Sequence, residues 1–232
     1  MTLQEIMRRL RELKSRGFIP TLRRGSTGAG YTFEQEMGLM ETNIPIPDIG
    51  GRVEIKTTRR DASSLVTLFC FNRGVWHIPQ RQLIERYGYL DESNRKALKT
   101  TIYLGRPITQ GLSLQVNDNN TISLIDNENN LLATWDVFVL VGKLLTKLSR
   151  VLFVIADRRI IEGREEFHYN EALILSEPQH RNFLNAFTAG KVGIDLRMHL
   201  KENGTVRNRG TGFRIKEIDM IDLYSNVRRL EI

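Results

Sequence analysis

The amino-acid sequence predicts a mixed α/β (α+β) fold in which helices flank a mixed central sheet. Residues 2–16 place Leu3, Ile6 and Leu10 at helical spacing among charged residues, which predicts an amphipathic helix. Residues 52–58 alternate between polar and apolar side chains, as a strand with one buried face does. Residues 151–156 form a short, continuous apolar run, which is typical of a strand buried on both faces.

The remaining elements follow from the same periodicities. Helices are predicted over 2–16, 79–87, 137–148 and 178–189, and a short helix is predicted to open at Thr32 as its N-cap. Strands are predicted over 52–58, 65–71, 100–104, 112–116, 121–125, 131–135, 151–156, 167–175, 192–200 and around 213–215. The strands over 52–58 and 65–71 are expected to belong to one sheet. No repeat or linker interrupts the chain, so residues 1–232 are predicted to form a single domain with a small β-rich lobe at about 100–136.

The composition is that of a folded globular protein. Of the 232 residues, 41% are hydrophobic and 26% charged, which excludes disordered, collagen-like and coiled-coil chains. No apolar run reaches the roughly 18 residues of a membrane span, and residues 1–5 lack the character of a signal peptide. A single cysteine, Cys70, excludes a disulfide framework and a multi-cysteine zinc site. A cytoplasmic protein with no membrane partner is therefore expected.

The positive charge is unevenly distributed. The 34 Lys and Arg exceed the 27 Asp and Glu, which gives a formal net charge of +7. Residues 1–30 hold seven bases against two acids, and residues 197–216 hold six bases against one acid. Arginine, which suits bidentate contact with phosphates and guanine edges, makes up 25 of the 34 bases. This distribution indicates a nucleic-acid partner, with a solvated basic surface as the alternative of equal standing.

The stretch from Asp48 to Lys56 carries the most informative chemistry. On a strand, Glu54 and Lys56 share one face while Val53 and Ile55 share the other, so the carboxylate and the ammonium lie side by side. Asp48 precedes the strand and can bring a second carboxylate alongside. Two carboxylates suit Mg²⁺, which keeps several waters for substrate phosphates. The pattern predicts a metal-dependent nuclease site in which Lys56 orients a water and offsets developing negative charge.

The same spacing occurs a second time without this context. Glu12-Leu13-Lys14 lies in the predicted N-terminal helix and has no preceding Asp and no strand, so it is interpreted as inert. Glu34 lies upstream of Asp48 on the opening turn of a predicted helix. It is either a third acid near the metal or a favourable charge near a helix N-terminus.

Several motifs together resemble the MvaI/BcnI family of restriction endonucleases, relatives of the mismatch-repair nicking enzyme MutH within the PD-(D/E)xK nuclease fold. The motifs that carry the resemblance run in order along the chain, namely 25–34 (GSTGAGYTFE), 47–48 (PD), 53–57 (VEIKT), 64–69 (SLVTLF), 86–89 (RYGY), 133–136 (ATWD), 166–169 (EFHY), 193–196 (GIDL) and 209–215 (RGTGFRI). Each fragment is unspecific alone, whereas their order and spacing together are not.

The resemblance implies a Type II restriction endonuclease that hydrolyses double-stranded DNA. It implies Mg²⁺ as cofactor, with Mn²⁺ able to substitute and Ca²⁺ able to bind without supporting cleavage. It also implies a monomer that nicks each strand in turn and holds DNA in a cleft between two lobes. The host would be a bacterium or archaeon with a cognate DNA methyltransferase. The implied site is short and pseudopalindromic, of the form CC-N-GG.

The resemblance also implies roles for particular residues. Asp48 and Glu54 correspond to the metal-binding acids, Lys56 to the lysine of the motif, and Glu34 to the upstream glutamate. Contacts to DNA are expected from Arg59, Arg60, Cys70, Arg197, Arg207, Arg209 and Arg214. For each arginine of the C-terminal region the alternatives to a base contact are a phosphate contact or an internal salt bridge. For Cys70 the alternative is a buried small hydrophobe.

The sequence departs from one branch of the family at two positions. Where that branch reads the central base pair with histidines, this chain holds Cys70 and Gly212, which favours a central A·T pair. Arg207 also stands where the named relatives have a histidine.

Three functions are therefore weighed: a site-specific endonuclease, a MutH-like nicking enzyme that depends on a partner, and a DNA-binding protein that does not cut. Carboxylates that face a polyanion repel it unless a cation lies between them, so the acid–acid–lysine set argues against the third, and the site-specific endonuclease is the leading hypothesis.

Overall fold

The computed structural model describes residues 3–39, 49, 53–61, 65–71 and 75–232, apart from the side chain of Ile218. Asp48, one of the two predicted metal ligands, lies outside the described residues. Among the described helices, none combines the length and the apolar character needed to span a bilayer.

The described residues form five α-helices, one 3₁₀-helix and fourteen strands, joined by turns and loops. The α-helices are α1 (Leu3–Ser15), α2 (Gly28–Glu36), α3 (Gln80–Tyr87), α4 (Val137–Lys147) and α5 (His180–Thr188), with a 3₁₀-helix at Glu217–Leu223. The strands are β1 (Ile19–Pro20), β2 (Glu54–Arg59), β3 (Leu65–Phe71), β4 (Tyr89–Leu90), β5 (Lys96–Tyr103), β6 (Leu112–Asn117), β7 (Thr121–Asp126), β8 (Leu131–Asp136), β9 (Arg150–Ile161), β10 (Arg164–Pro178), β11 (Val192–Leu200), β12 (Val206–Asn208), β13 (Thr211–Lys216) and β14 (Tyr224–Arg229). The predicted α+β class is therefore confirmed.

The chain forms two compact units. The first unit comprises Met1–Ser64, Leu145–Gln179 and Met220–Ile232, and the second comprises Leu65–Leu144 and His180–Asp219. The single-domain organisation stays a prediction.

The first unit is built on a mixed sheet in the order β1-β10-β9-β2, with β14 paired to β10. Helix α1 contributes Ile6, Leu10 and Leu13 to the core of this unit, as its helical spacing predicts. Strand β2 is parallel to β9, with Ile55 opposite Leu152 in the register, and both of these side chains are buried. This pairing anchors the strand that carries Glu54 and Lys56.

Strands β2 and β3 do not share a sheet, which corrects the expectation that residues 52–58 and 65–71 belong to one sheet. Strand β2 pairs with β9 in the first unit, whereas β3 pairs antiparallel with β13 in the second. The local pattern identified both strands correctly, but their partners lie far away in the sequence, and alternation carries no information about pairing.

The second unit holds two sheets. One has the order β3-β13-β11-β5-β4 with β12 paired to β11, and the other has the order β6-β7-β8. Strand β5 pairs with β11, and the three-stranded sheet is formed by β6, β7 and β8 over 112–136, while the β-rich lobe at about 100–136 stays a prediction. The segment 201–212 contains β12, which forms a hairpin with the end of β11.

Asp126 fixes the turn between β7 and β8. Its carboxylate accepts hydrogen bonds from the backbone N–H groups of Glu128 and Asn130, at 2.9 and 2.8 Å. It also accepts from the Asn130 amide at 2.9 Å and from the Tyr87 hydroxyl at 2.7 Å. These side-chain donors, Asn130 first, lower the pKa of Asp126 to about 2.

We expect Asp126→Asn to lower the melting temperature near neutral pH and to do so less in acid. A carboxylate whose folded-state pKa lies below its unfolded value contributes stability above the unfolded value, about 3.9, and loses it as the pH falls towards about 2. Melting curves followed by circular dichroism between about pH 7 and pH 3 measure the effect. The matched control is Asp118→Asn on an exposed turn. A melting difference that stays constant across this pH range contradicts the prediction.

Candidate active site

Glu54 and Lys56 lie on the same face of β2, as the alternation predicts. Lys56 Nζ donates a hydrogen bond to Glu54 Oε1 at 2.5 Å. The Glu54 side chain is only 4% exposed, while that of Lys56 is 19% exposed. The carboxylate is therefore held at the edge of the core, and the ammonium lies between it and the solvent.

A second lysine reaches the same carboxylate. Lys147, at the end of α4, places its Nζ 3.5 Å from Glu54 Oε1. Both ammonium groups therefore approach one oxygen of Glu54. The other oxygen, Oε2, is buried and has no hydrogen-bond partner among the described residues.

Tyr224 adds a neutral polar group near Glu54. Its hydroxyl is buried and has no hydrogen-bond partner in the described part of the chain. Burial first, and the negative charge of Glu54 second, raise the pKa of the Tyr224 phenol above its ordinary value. The phenol therefore stays protonated at neutral pH.

The chemistry of Glu54 fits a hard divalent cation. A buried carboxylate oxygen without a partner is costly unless something binds it, and carboxylate oxygens are the ligands that Mg²⁺ prefers. The described residues contain no group of three or more His, Cys, Asp and Glu side chains arranged to hold a metal. A site of the predicted type needs only two carboxylates, of which Asp48 is the second.

Glu34 lies in the last turn of α2, not in its opening turn. The helix begins at Gly28, so Thr32 is not its N-cap but an interior residue that is fully buried. The Thr32 hydroxyl accepts a hydrogen bond from the backbone N–H of Leu22 at 3.0 Å. An acidic residue near a helix C-terminus opposes the helix dipole, so the explanation of Glu34 as a favourable N-terminal charge is wrong.

Arg59 and Arg60, both predicted to contact DNA, make internal contacts. Arg59 is 10% exposed and donates to Glu165 at 2.9 Å and to the backbone oxygen of Gly25 at 2.8 Å. Arg60 donates to Asp157 at 2.6 Å and to Glu171 at 2.8 Å. These bonds connect the end of β2 to β9, to β10 and to the backbone at Gly25, and the DNA contacts stay predictions.

In the second unit, Arg197 and Arg214 converge on one buried acid. Asp195 is 6% exposed, and it accepts from Arg214 at 3.3 Å and from the Thr101 hydroxyl at 3.1 Å. Arg197 Nε lies 3.7 Å from the same carboxylate. Arg197 also donates to Cys70 Sγ at 2.9 Å. The acid therefore neutralises and orients two of the predicted DNA-contacting arginines, and Cys70 is part of this polar cluster.

The two positions at which the sequence departs from the histidine-bearing branch are neighbours. Gly212 of β13 lies opposite Cys70 of β3 and opposite Asp195 of β11. Cys70 and Gly212 therefore lie side by side on neighbouring strands, in one row with Asp195.

Arg207 and Arg209 are exposed and make no ion pair with any described residue. The backbone N–H of Arg209 donates to the backbone oxygen of Arg197 at 3.1 Å. In return, the Arg197 guanidinium donates to the backbone oxygen of Arg209 at 3.4 Å. The backbone at Arg209 is therefore fixed while its side chain projects into solvent.

Sequence reasoning missed Lys147 and Asp195. No local spacing connects Lys147 to Glu54, because helix α4 and strand β2 are distant in the sequence. Asp195 did leave a signal, since an acid inside an apolar strand shares its face with Arg197 two positions later. Since acids are rarely buried unless they are paired, an acid and an arginine on one face of an apolar strand indicate a polar cluster inside the protein.

The fold defines a class of protein. A solved structure described as the restriction endonuclease MvaI in complex with its cognate DNA substrate matches with a TM-score of 0.80 and 23% identity, covering 99% of this chain and 99% of that chain. The restriction endonuclease MvaI in the absence of DNA matches with a TM-score of 0.57 and 23% identity, covering 100% of this chain and 99% of the other. The chain therefore has a restriction-endonuclease fold.

Residues 7–224 match the model of the MvaI/BcnI restriction endonuclease family, and the chain belongs to this family. Membership assigns it to the sequence-specific DNA-cleaving enzymes. No curated protein matches the sequence. The family and the fold predicted from the ordered motifs are confirmed.

Proposed function

We propose that this protein is a Mg²⁺-dependent Type II restriction endonuclease. It hydrolyses both strands of double-stranded DNA at a short CC-N-GG-like site with a central A·T pair. It acts as a monomer that nicks each strand in turn, in the cytoplasm of a bacterium or archaeon whose cognate DNA methyltransferase protects the host's own sites. The observation that carries the proposal is the buried Oε2 of Glu54, which has no hydrogen-bond partner among the described residues and lies beside Lys56 in a chain of this family.

The residues of β2 account for the chemistry of phosphodiester hydrolysis. In that reaction a water oxygen bonds to phosphorus, the bond to the leaving oxygen breaks, and a proton is delivered to the leaving oxygen. Glu54 and Asp48 would hold a divalent cation, which when bound would supply Lewis-acid polarisation of the phosphate and lower the pKa of a water. Lys56 donates hydrogen bonds to the attacking water or to a phosphate oxygen and offsets the negative charge that develops. Glu34 contributes a third carboxylate near these groups.

A plasmid assay tests this function directly. We expect purified protein with plasmid DNA and Mg²⁺ alone to give discrete fragments, and Ca²⁺ to give retarded DNA without cuts. Mn²⁺ is expected to replace Mg²⁺. Nicked circles alone would instead indicate a partner-dependent nicking enzyme, and a gel shift alone would indicate a DNA-binding protein that does not cut. Sequencing of the fragment ends gives the recognition site and the stagger.

Lys147 is expected to act as a positioning residue for Glu54. Lys147→Met removes the second ammonium from Oε1 and lets the carboxylate turn towards Lys56, so we expect cleavage to slow by about 10–100-fold. The Mg²⁺ concentration that gives half of the maximal rate should shift as well, which a purely structural defect would not cause.

The control is Lys143→Met, one turn earlier on the same helix. Lys143 lies over the Phe71 ring at 5.8 Å and belongs to the second unit. Wild-type rate and Mg²⁺ dependence in Lys147→Met, with melting temperatures unchanged in both variants, would remove Lys147 from the site.

A further inference from the structure

A basic cavity lies in the first unit, away from Glu54. It has a volume of about 380 Å³ and is formed by the segment 21–25, which follows β1, and by the residues 163–165 at the turn between β9 and β10. Three arginines line it, namely Arg23, Arg24 and Arg164, against a single acid, Glu165.

The charge of the cavity is more positive than this count indicates. Both oxygens of Glu165 are already engaged, Oε2 by Arg59 at 2.9 Å and Oε1 by Arg158 at 3.4 Å. Arg24 and Arg164 are exposed and make no ion pair with any residue that the structure describes. Two cations therefore border the cavity without a compensating acid.

The walls of the cavity are fixed. The backbone N–H of Thr21 donates to the backbone oxygen of Glu165 at 2.9 Å, and the Thr21 hydroxyl donates to the backbone oxygen of Arg23 at 2.7 Å. The Arg23 guanidinium lies 3.6 Å from the centre of the Tyr31 ring. Backbone carbonyl groups of the walls are thus used inside the protein, and the exposed charged side chains that border the cavity, Arg24 and Arg164, are cationic.

Arg59 connects this cavity to the catalytic strand. Its guanidinium donates to Gly25 and to Glu165, one residue on each wall, while its backbone belongs to β2. Arg59 is three residues beyond Lys56, which is about 10 Å along a strand. The same distance along duplex DNA corresponds to about three base pairs.

We propose that this cavity binds a phosphate group of the DNA backbone at the margin of the recognition site or just outside it. The proposal rests on the proposed function, because DNA is the substrate that carries a phosphate about every 3.4 Å along each strand, on both sides of the bond that is cut. Arg24 and Arg164 neutralise the phosphate, and Arg59 keeps the cavity in register with the catalytic strand. The contact supplies affinity and position without reading sequence.

The double variant Arg24→Gln and Arg164→Gln tests the cavity, with Arg8→Gln and Arg228→Gln as a control of equal charge change on exposed residues of the same unit. Binding is measured in Ca²⁺ to a random duplex across a range of salt. We expect the cavity variant to bind more weakly and to lose about 1 from the slope of log K against log salt, and the control to lose less. Equal losses in the two variants overturn the proposal. If the double variant melts early, Arg24→Gln alone is compared in the same way.

A phosphate scan locates the contact. Single methylphosphonates, which are uncharged, are placed one at a time along the duplex. For the wild type, a methylphosphonate at one flanking position should weaken binding. The cavity variant should bind that duplex as well as the unmodified one, because it lacks the arginine side chains that contact the phosphate. The same sensitivity in both proteins overturns the proposal.

Inorganic phosphate distinguishes the two sources of the ligand. Inorganic phosphate could raise the melting temperature of the wild type but not of the cavity variant, while both proteins bind DNA with the same affinity. That result would make the cavity a site for free phosphate and overturn the DNA assignment. Because binding is measured without cleavage, the two proposals can fail separately. If the cavity variant binds DNA more weakly than the control but the wild type does not cut, the nuclease function is refuted and the phosphate site is retained. If the wild type cuts but the cavity variant and the control bind DNA equally well, the phosphate site is refuted and the nuclease function is retained.

Discussion

Lys56→Ala is expected to reduce DNA cleavage by at least about 10²–10³-fold while leaving DNA binding in Ca²⁺ nearly intact. The ammonium is placed where it can offset transition-state charge, because it lies 2.5 Å from Glu54 Oε1 and is partly exposed. It is one of 34 basic residues, so its loss changes the attraction of the protein for DNA very little. Single-turnover cleavage rates and gel-shift affinities measure the two effects separately.

The chain provides its own control for this substitution. Glu12-Leu13-Lys14 repeats the Glu-x-Lys spacing in helix α1, where Lys14 Nζ donates to the backbone oxygen of Ile232 at 2.6 Å and Glu12 pairs with Arg8 at 2.6 Å. Two residues apart on a helix point in different directions, whereas on a strand they share a face. Lys14→Ala should therefore cut at the wild-type rate. A Lys56→Ala protein that also does so removes this amine from the mechanism.

Stability has to be measured alongside these rates. Lys56→Ala leaves the buried Glu54 carboxylate with Lys147 as its nearest cation, at 3.5 Å. Loss of one partner of a buried ion pair costs about 3–5 kcal/mol when nothing replaces it, and the second lysine reduces that cost here. Rates are compared well below the melting temperature of the variant, so that unfolding does not mimic loss of chemistry.

The local geometry of the site could be predicted from the sequence, and its long-range part could not. A period of two residues placed Glu54 beside Lys56 and Ile55 in the core, and the structure agrees. Lys147 reaches Glu54 only because β2 lies beside β9, which follows α4 in the chain. Nothing in the sequence around either residue specifies that pairing, and for the same reason β2 and β3 were wrongly expected to share a sheet.

The start of α2 was predicted wrongly because of a local signal, the helix propensity of the residues themselves. Glycine disfavours helix, so the helix was predicted to start at Thr32, after Gly28 and Gly30. The helix begins at Gly28 because Ala29 and Phe33 are buried in the core of the first unit, and tertiary packing outweighs the low propensity. With the helix starting at Gly28, Glu34 lies at the C-terminal end, where the helix dipole disfavours a negative charge.

Arg209→Ala is expected to weaken binding to the cognate site by about 1–3 kcal/mol more than binding to random DNA. The side chain is exposed and has no ion-pair partner among the described residues, while its backbone is tied to Arg197 through the main chain. Alanine keeps those backbone bonds, so the cluster of Arg197, Asp195 and Cys70 should stay intact. The substitution therefore removes the exposed guanidinium and keeps the backbone contacts of residue 209.

The measurement needs the recognition site from fragment-end sequencing and then compares affinities for cognate and random duplexes in Ca²⁺. Arg181→Ala on α5, also exposed and without an ion pair to any described residue, is the matched control and should leave the ratio of the two affinities unchanged. A bidentate arginine–guanine contact is lost only on the cognate duplex, whereas a phosphate contact is lost on every duplex. Equal weakening on both duplexes would therefore make Arg209 a phosphate contact, and the reading of the outer base pairs would then have to come from Arg197, Arg207 or Arg214.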